Sequence, residues 1–152
     1  MHVIQGFLTL VARLMIAAIF LASAVTNKIP KFNEVVEKMT AQGVPQPKIL
    51  LVGAIAFLLL GSLSLILGLR ARWGAFLLLT FLAAATYYFH DFWKLPPDTA
   101  ADVLRTEQIA FMKNLALMGT MVFILANGAG PWSFDARRTA AASEPDSGDE
   151  DA

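Results

Sequence analysis

"FMKNLALMGTMVFILA", residues 111–126, decides what kind of protein this is. Together with Ile109 and Ala110 it makes a run that hydrocarbon would accept throughout, except that Lys113 and Asn114 stand side by side near its start. At 1.5 Å of rise per residue its eighteen residues reach about 27 Å as a helix, close to the roughly 30 Å of a bilayer core. Three further apolar runs occupy residues 4–25, 49–69 and 73–89. A segment that crosses lipid must satisfy its own backbone hydrogen bonds, and the chain lacks the ten-residue alternating segments of a membrane barrel, so each run is expected to be a helix. Four spans with short links predict an all-α membrane protein, an antiparallel four-transmembrane-helix bundle.

The composition agrees: of 152 residues, 57% are hydrophobic and 16% charged, far from the balance of a soluble domain. With no cysteine, the chain has no disulfide, no thiol redox chemistry, no cysteine-ligated zinc and no thiolate iron–sulfur centre. The zero formal net charge hides an asymmetry, because residues 136–152 set Arg137 and Arg138 against Glu144, Asp146, Asp149, Glu150 and Asp151. The expected division is a membrane domain over residues 1–135 and a disordered acidic tail over 136–152.

The first run has a small-residue site, Ala22-Ser23-Ala24, like that of a cleaved signal peptide. No Lys or Arg precedes the run, it is too long for a signal core, and Arg13 stands in its middle, so the helix is expected to stay. After it, Phe32, Val35, Val36 and Met39 repeat at i, i+3, i+4 and i+7, with Glu34 and Lys38 paired on the other side. Pro30 suits a helix start and Gly43 a stop, which predicts a short amphipathic helix in the membrane interface. Residues 90–108, broken at Pro96-Pro97, read as a water-facing loop.

Depth can be counted from the helix rise. Taking the side with both termini as the near side, Arg13 lies about 13 Å inside, and Ser62, Thr80 and Thr120 about 9 to 10 Å inside. These four are expected to form one intramembrane polar layer, because an arginine at that depth must face protein or water. A second cluster forms at the far boundary: Lys28 closes the first helix, His90 and Asp91 close the third, and Lys113 and Asn114 open the fourth. Lys113 is shallow enough to snorkel to headgroups, or to meet Asp91 or Glu107 in a polar site where Asn114 approaches His90. Tyr87, Tyr88, Phe92 and Trp93 read as an interfacial aromatic belt. The two histidines, His2 and His90, fall at opposite faces, so no metal or haem site is expected. Nothing indicates a nucleophile triad, a phosphate loop or a nucleic-acid patch, and oligomeric state leaves no mark on the sequence.

In order and spacing, the arginine of the first helix, "TNKIPKF" (26–32), "GVP" (43–45), "LGLRARWGAFLLL" (67–79), "FHDFW" (89–93), "FMKNLALMGT" (111–120) and "GPWSFD" (130–135) resemble the DoxX family of small prokaryotic membrane proteins. The resemblance implies a DoxX-like domain of four spans over residues 1–135, both termini in the cytoplasm, and a place in the cell (inner) membrane. A relative is a subunit of a thiosulfate:quinone oxidoreductase, which implies a non-catalytic subunit of an oxidoreductase complex, with a soluble or membrane redox subunit and the lipid bilayer as partners. No cofactor is evident in the residues, and a quinone enters by that analogy alone. The alternatives are a small-molecule or lipid carrier or channel, and a membrane scaffold. By resemblance the residues to carry over are Arg13, Lys28, His90, Lys113 and Asn114. One departure stands out: where relatives often have a glutamate in the second helix, four residues before Gly61, this chain has Phe57. Arg13 then needs Ser62, Thr80, Thr120, a backbone carbonyl or an anionic headgroup instead. The positive-inside count works against cytoplasmic termini, since Arg70, Arg72, Arg137 and Arg138 face Lys28, Lys31, Lys38, Lys48, Lys94 and Arg105 across the bilayer.

The absence of native cysteine makes the topology directly measurable. Single cysteines at Ser143, Thr40 and Thr99 are to be labelled in membranes with an impermeant maleimide. Ser143→Cys is expected to label from the face opposite the other two, and labelling of all three from one face would rule out four spans.

Overall fold

The computed structural model describes residues 2–142, and within them it is built from helices, with no strand. Helix α1 (His2–Ala22) runs on through a π-helical turn, Ser23–Lys28. Then follow α2 (Phe32–Ala41), α3 (Pro47–Leu67), α4 (Ala71–Phe89), α5 (Ala101–Asn127) and α6 (Phe134–Ala142). Four helical stretches, Val3–Lys28, Pro47–Leu67, Ala71–Lys94 and Ala101–Asn127, are long and apolar enough to cross a membrane. Only 17% to 28% of their most apolar windows is buried inside the chain. Water would not tolerate so much outward apolar surface, with Met15, Val52, Leu60, Phe76, Val122 and Phe123 all exposed, and lipid does.

The spanning helices pack in chain order, α1 on α3, α3 on α4 and α4 on α5. Phe20, Leu58, Leu65, Leu78, Leu82 and Met121 bring side chains of all four into one core. The closest approach is between α3 and α4, where a Cβ on Gly61 would lie 2.6 Å from Leu78 Cγ and 3.0 Å from the Gly74 carbonyl. Opposite, a Cβ on Gly74 would lie 2.5 Å from Ser64 Oγ. Small residues at this crossing let the backbones meet, which is how helices gain packing where lipid competes for every apolar contact.

The amphipathic helix forms as its periodicity requires. Val36 and Met39 are buried and, with Val44 and Leu51, make a second small core against Tyr88 and Phe89 at the far end of the bundle. Gly43, at φ +72°, ends the turn, and the Val44 amide bonds back to the Met39 carbonyl at 3.0 Å.

Two boundaries differ from the sequence reading. Helix α5 begins at Ala101, inside the expected loop, and its 27 residues extend about 40 Å. Residues 101–108 are polar, so hydropathy misses them, yet they are good helix formers with Asp102 in the first turn, where a carboxylate favours the helix dipole. The expected disordered tail begins instead as helix: Ser133 Oγ accepts the Ala136 amide at 3.1 Å and caps α6, which takes in residues 136–142. Residues 143–152 lie outside the described residues.

The α3–α4 crossing generates a clean comparison. Gly61→Val is expected to cost about 1 to 3 kcal/mol, because the added branch meets the Gly74 backbone as well as Leu78. Gly53→Ala, where a Cβ meets nothing within 4 Å, is expected to be neutral or slightly stabilising. Reversible unfolding in mixed micelles measures both, and equal effects would refute the close crossing.

Candidate functional site

The polar residues gather at the two ends of the bundle. At the near end, Arg13 is 3% exposed although it is charged. Its Nη2 donates to the Trp132 carbonyl at 2.6 Å and its Nε to the Thr9 carbonyl at 3.4 Å. Nη1 lies where a side chain on Gly68 would begin, so only glycine fits there, and at φ +62° that residue also closes α3. Buried and without a hydrogen-bond partner among the described residues, Nη1 is the one unmet donor of the group.

The segment 130–135 reaches Arg13 by folding back under the bundle. Thr9 Oγ1 donates to the Pro131 carbonyl at 3.1 Å, and the Trp132 indole covers Gly6 so closely that a Cβ would overlap it. The Asp135 amide donates to the Gly68 carbonyl at 2.9 Å. The Asp135 carboxylate accepts the Arg70 amide at 2.7 Å and the Ala71 amide at 2.9 Å, capping α4 from 64 residues away. Arg70 and Trp132 both have positive φ, a conformation that costs an ordinary residue energy and persists where contacts enforce it. Nearby, Arg72 Nη2 donates to the Ala126 carbonyl at 3.2 Å in the last turn of α5.

This corrects the expected polar layer. Thr80 and Thr120 turn their hydroxyls back to the carbonyls of Phe76 and Ala116 on their own helices, at 2.9 and 3.0 Å. Ser62 is fully buried with its hydroxyl unpartnered among the described residues. The depth count failed because it assumed flush helix ends. In the structure α1 overhangs the α3–α4 turn, so Arg13 stands level with Gly68. The missing carboxylate at Phe57 is met by a backbone carbonyl.

At the far end, the neighbours Lys113 and Asn114 part. Asn114, 7% exposed, points inward, and its Nδ2 donates to Thr86 Oγ1 on α4 at 3.1 Å. Lys113 is exposed and has no partner among the described residues, the geometry of a snorkelling side chain. It meets neither Asp91, which pairs with Lys94 at 2.9 Å, nor Glu107, which accepts from His90 Nδ1 at 2.9 Å. Lys28 also stays apart: the π-helical turn aligns it with Ser23, whose Oγ it reaches at 2.7 Å, and its ammonium lies 5.1 Å from the Phe81 ring centre. Beside His90 and Glu107, Phe92, Trp93 and Phe111 form three edge-to-face pairs with centres 5.3 to 5.7 Å apart.

Sequence reasoning missed Thr86 and Phe111 as partners here, and Asp135 and the Trp132 carbonyl at the near end. Thr86 was findable as the one aliphatic hydroxyl in the last turn of α4, beside the aromatic Tyr87 and Tyr88. Asp135 was not, since a cap supplied from a distant segment leaves no local pattern.

A helical, cysteine-free protein of four spans, with buried Arg13 latched at one end and a histidine–carboxylate pair among aromatics at the other, defines a class of multi-pass membrane protein. Comparison places it more closely. The chain belongs to the DoxX family, whose sequence model matches residues 8–91. It is similar to the Inner membrane protein YphA of Escherichia coli (strain K12), with 25% identity over 130 residues that cover 86% of this chain and 89% of the relative. No solved structure matches it.

The near-end latch predicts a specific loss. Asp135→Ala is expected to destabilise the chain by about 1 to 2 kcal/mol through the lost cap, and Asp135→Asn, whose single acceptor oxygen can serve only one of the two amides, to recover no more than part of it. Unfolding in mixed micelles measures both. An alanine variant as stable as the native chain would show that the cap holds nothing.

Proposed function

We propose that this protein is a small integral membrane subunit of an oxidoreductase complex, not catalytic by itself, whose far-end group receives a quinone headgroup from the bilayer. The observation that carries the reading is the His90–Glu107 pair beside Phe92, Trp93 and Phe111. A quinone is a flat ring with oxygens at opposite edges, and it needs aromatic surface and a hydrogen-bonding atom that is not already engaged. Trp93 is 55% exposed and offers that surface. His90 Nε2 is the free atom. Because the Glu107 carboxylate only accepts, Nδ1 carries the hydrogen between them, and neutral His90 presents Nε2 as an acceptor to the hydroxyl of a reduced ring. When protonated, the same nitrogen donates to the carbonyl of an oxidised ring, with Glu107 stabilising the cation.

A bound quinone would supply two-electron chemistry. The centre that exchanges electrons with it is assigned to a partner, because the chain has no cysteine and no metal-holding group of three His, Asp or Glu side chains among the described residues. Membership of the DoxX family, in which the resemblance drawn above includes a subunit of a quinone-linked complex, supports this role. The similarity to an inner membrane protein supports the same membrane here, and the family resemblance alone supports placing both termini in the cytoplasm. A carrier is less well supported, since Ser62, Thr80 and Thr120 do not line a common path.

The full chain, tagged and solubilised mildly from native membranes, is expected to bring with it a redox subunit and extractable quinone. His90→Phe is expected to lower the quinone content about tenfold, the value of one lost hydrogen bond of about 1.4 kcal/mol, while the subunit remains. Quinone content unchanged by the substitution, or no redox-active companion, would end the proposal.

A further inference from the structure

Beneath α4 and α5, at the near end and away from the proposed quinone contact, lies an open groove of about 1040 Å³. Arg70, Arg72 and Arg138 line it together with Trp73, Asn127 and Asp135. The one carboxylate is already engaged, with an oxygen on each of two backbone amides at the start of α4. Most of the arginine donors are not. The side chains of Arg70 and Arg138 have no partner among the described residues, and Arg72 spends one nitrogen on the Ala126 carbonyl. Buried Arg13 lies behind the wall, packed against Ser133 beside Gly68 and within electrostatic reach of Asp135. Three arginines against one carboxylate leave the groove positive, and its positive charge is all guanidinium, the group whose fork of donors matches a phosphate.

Its position selects the source of that phosphate. Ala71 opens the third span, so the groove sits at the level where headgroups begin. Trp73 projects from its edge, 68% exposed, and stacks edge-to-face on Phe76 with centres 6.2 Å apart. Further along α5, Val122 and Phe123 are exposed as well. A ligand with a phosphate at one end and acyl chains at the other would meet guanidiniums at the boundary, then the interfacial Trp73 indole, then the apolar surface of the spans.

We infer that Arg70, Arg72 and Arg138 form a binding site for the phosphate headgroup of an anionic phospholipid in the leaflet at the end of the bundle that carries both termini. The lipid neutralises charge that Asp135 offsets only in part among the described residues. It also ties the segment 130–135, and so the Arg13 latch, to the membrane surface. This site is independent of the quinone reading.

The test uses the full chain in nanodiscs of phosphatidylcholine carrying trace spin-labelled phosphatidylglycerol or spin-labelled phosphatidylcholine, with the motionally restricted fraction read by electron paramagnetic resonance. Phosphatidylglycerol is expected to associate about fivefold more strongly, the effect of one well-placed arginine or more. Arg70→Gln with Arg138→Gln is expected to bring the two lipids near parity, and Arg70→Lys with Arg138→Lys to keep most of the preference. Arg138→Gln alone, at an exposed position without a partner, covers the case in which the double variant folds poorly, and is expected to lose about half of it or more. Replacing Lys31, Lys38 and Lys48 at the other end by glutamine is expected to change nothing. Equal association in the native chain, or a preference that survives the arginine substitutions and vanishes with the lysines, would overturn the site. A preference that emerges only when Glu144, Asp146, Asp149, Glu150 and Asp151 are neutralised would assign the groove to the chain's own acidic tail instead. Thermal stabilisation by inorganic phosphate in phosphatidylcholine nanodiscs, with no lipid preference, would mark a free-phosphate site and equally overturn the assignment.

Discussion

The hydrogen bond from Arg13 to the Trp132 carbonyl joins the first helix to a segment 119 residues further on, and the near end of the molecule is organised around it. A guanidinium beside lipid must be enclosed by protein or brought to water, and here enclosure takes several elements at once. Gly68 leaves the space, Trp132 supplies the acceptor, and Thr9 and Gly6 seat the segment on α1. The same segment carries Asp135 to the start of α4 and its own amide to the end of α3. Removing the arginine would take the donor from the half-buried Trp132 carbonyl and leave Trp132 held at positive φ with less reason to stay there.

The far end is built on a different plan. Its polar groups are joined in separate pairs, Asn114 with Thr86, His90 with Glu107 and Asp91 with Lys94. Only the first is buried in the bundle. The His90–Glu107 pair exists because α5 continues two turns beyond its apolar run, so a helix wall rather than a loop faces the end of α4. Asn114 then fixes the rotation of α5 against α4 from inside, while Lys113, one residue earlier, is left to the boundary. The cost of the amide in an apolar run is offset by one interhelical bond, and the exposed ammonium avoids burial altogether.

The spans were legible from the sequence because hydrocarbon imposes a length and a composition on each helix separately. The amphipathic helix was equally legible, since Phe32, Val35, Val36 and Met39 mark its buried face locally. What could not be read was anything that depends on how far one helix slides past another. Counting from helix ends placed Arg13 among Ser62, Thr80 and Thr120, although an overhang of α1 sets it opposite Gly68. The threonines then satisfied their hydroxyls on their own backbones, as threonines in apolar helices can. Asn114 bonds to Thr86 rather than approaching His90, because the register of α4 against α5 has no sequence signature. Residues 101–108 read as loop from the Pro96-Pro97 break and their mixed charges, which mark the end of a span and not the absence of a helix beyond it.

The span of that first latch has a meaning in time as well as in space. Arg13 leaves the ribosome 119 residues before the carbonyl that holds it. At about 5 to 20 residues per second, that is an interval of roughly 6 to 24 seconds. Throughout it the first helix must wait in or beside the translocation machinery with an unmatched cation, reaching toward headgroups or water by its flexible stem. Every other span is synthesised in the meantime. The near end is therefore closed only after all four spans have been made, and a chain halted before Gly130 would present its first helix with the arginine still unclaimed.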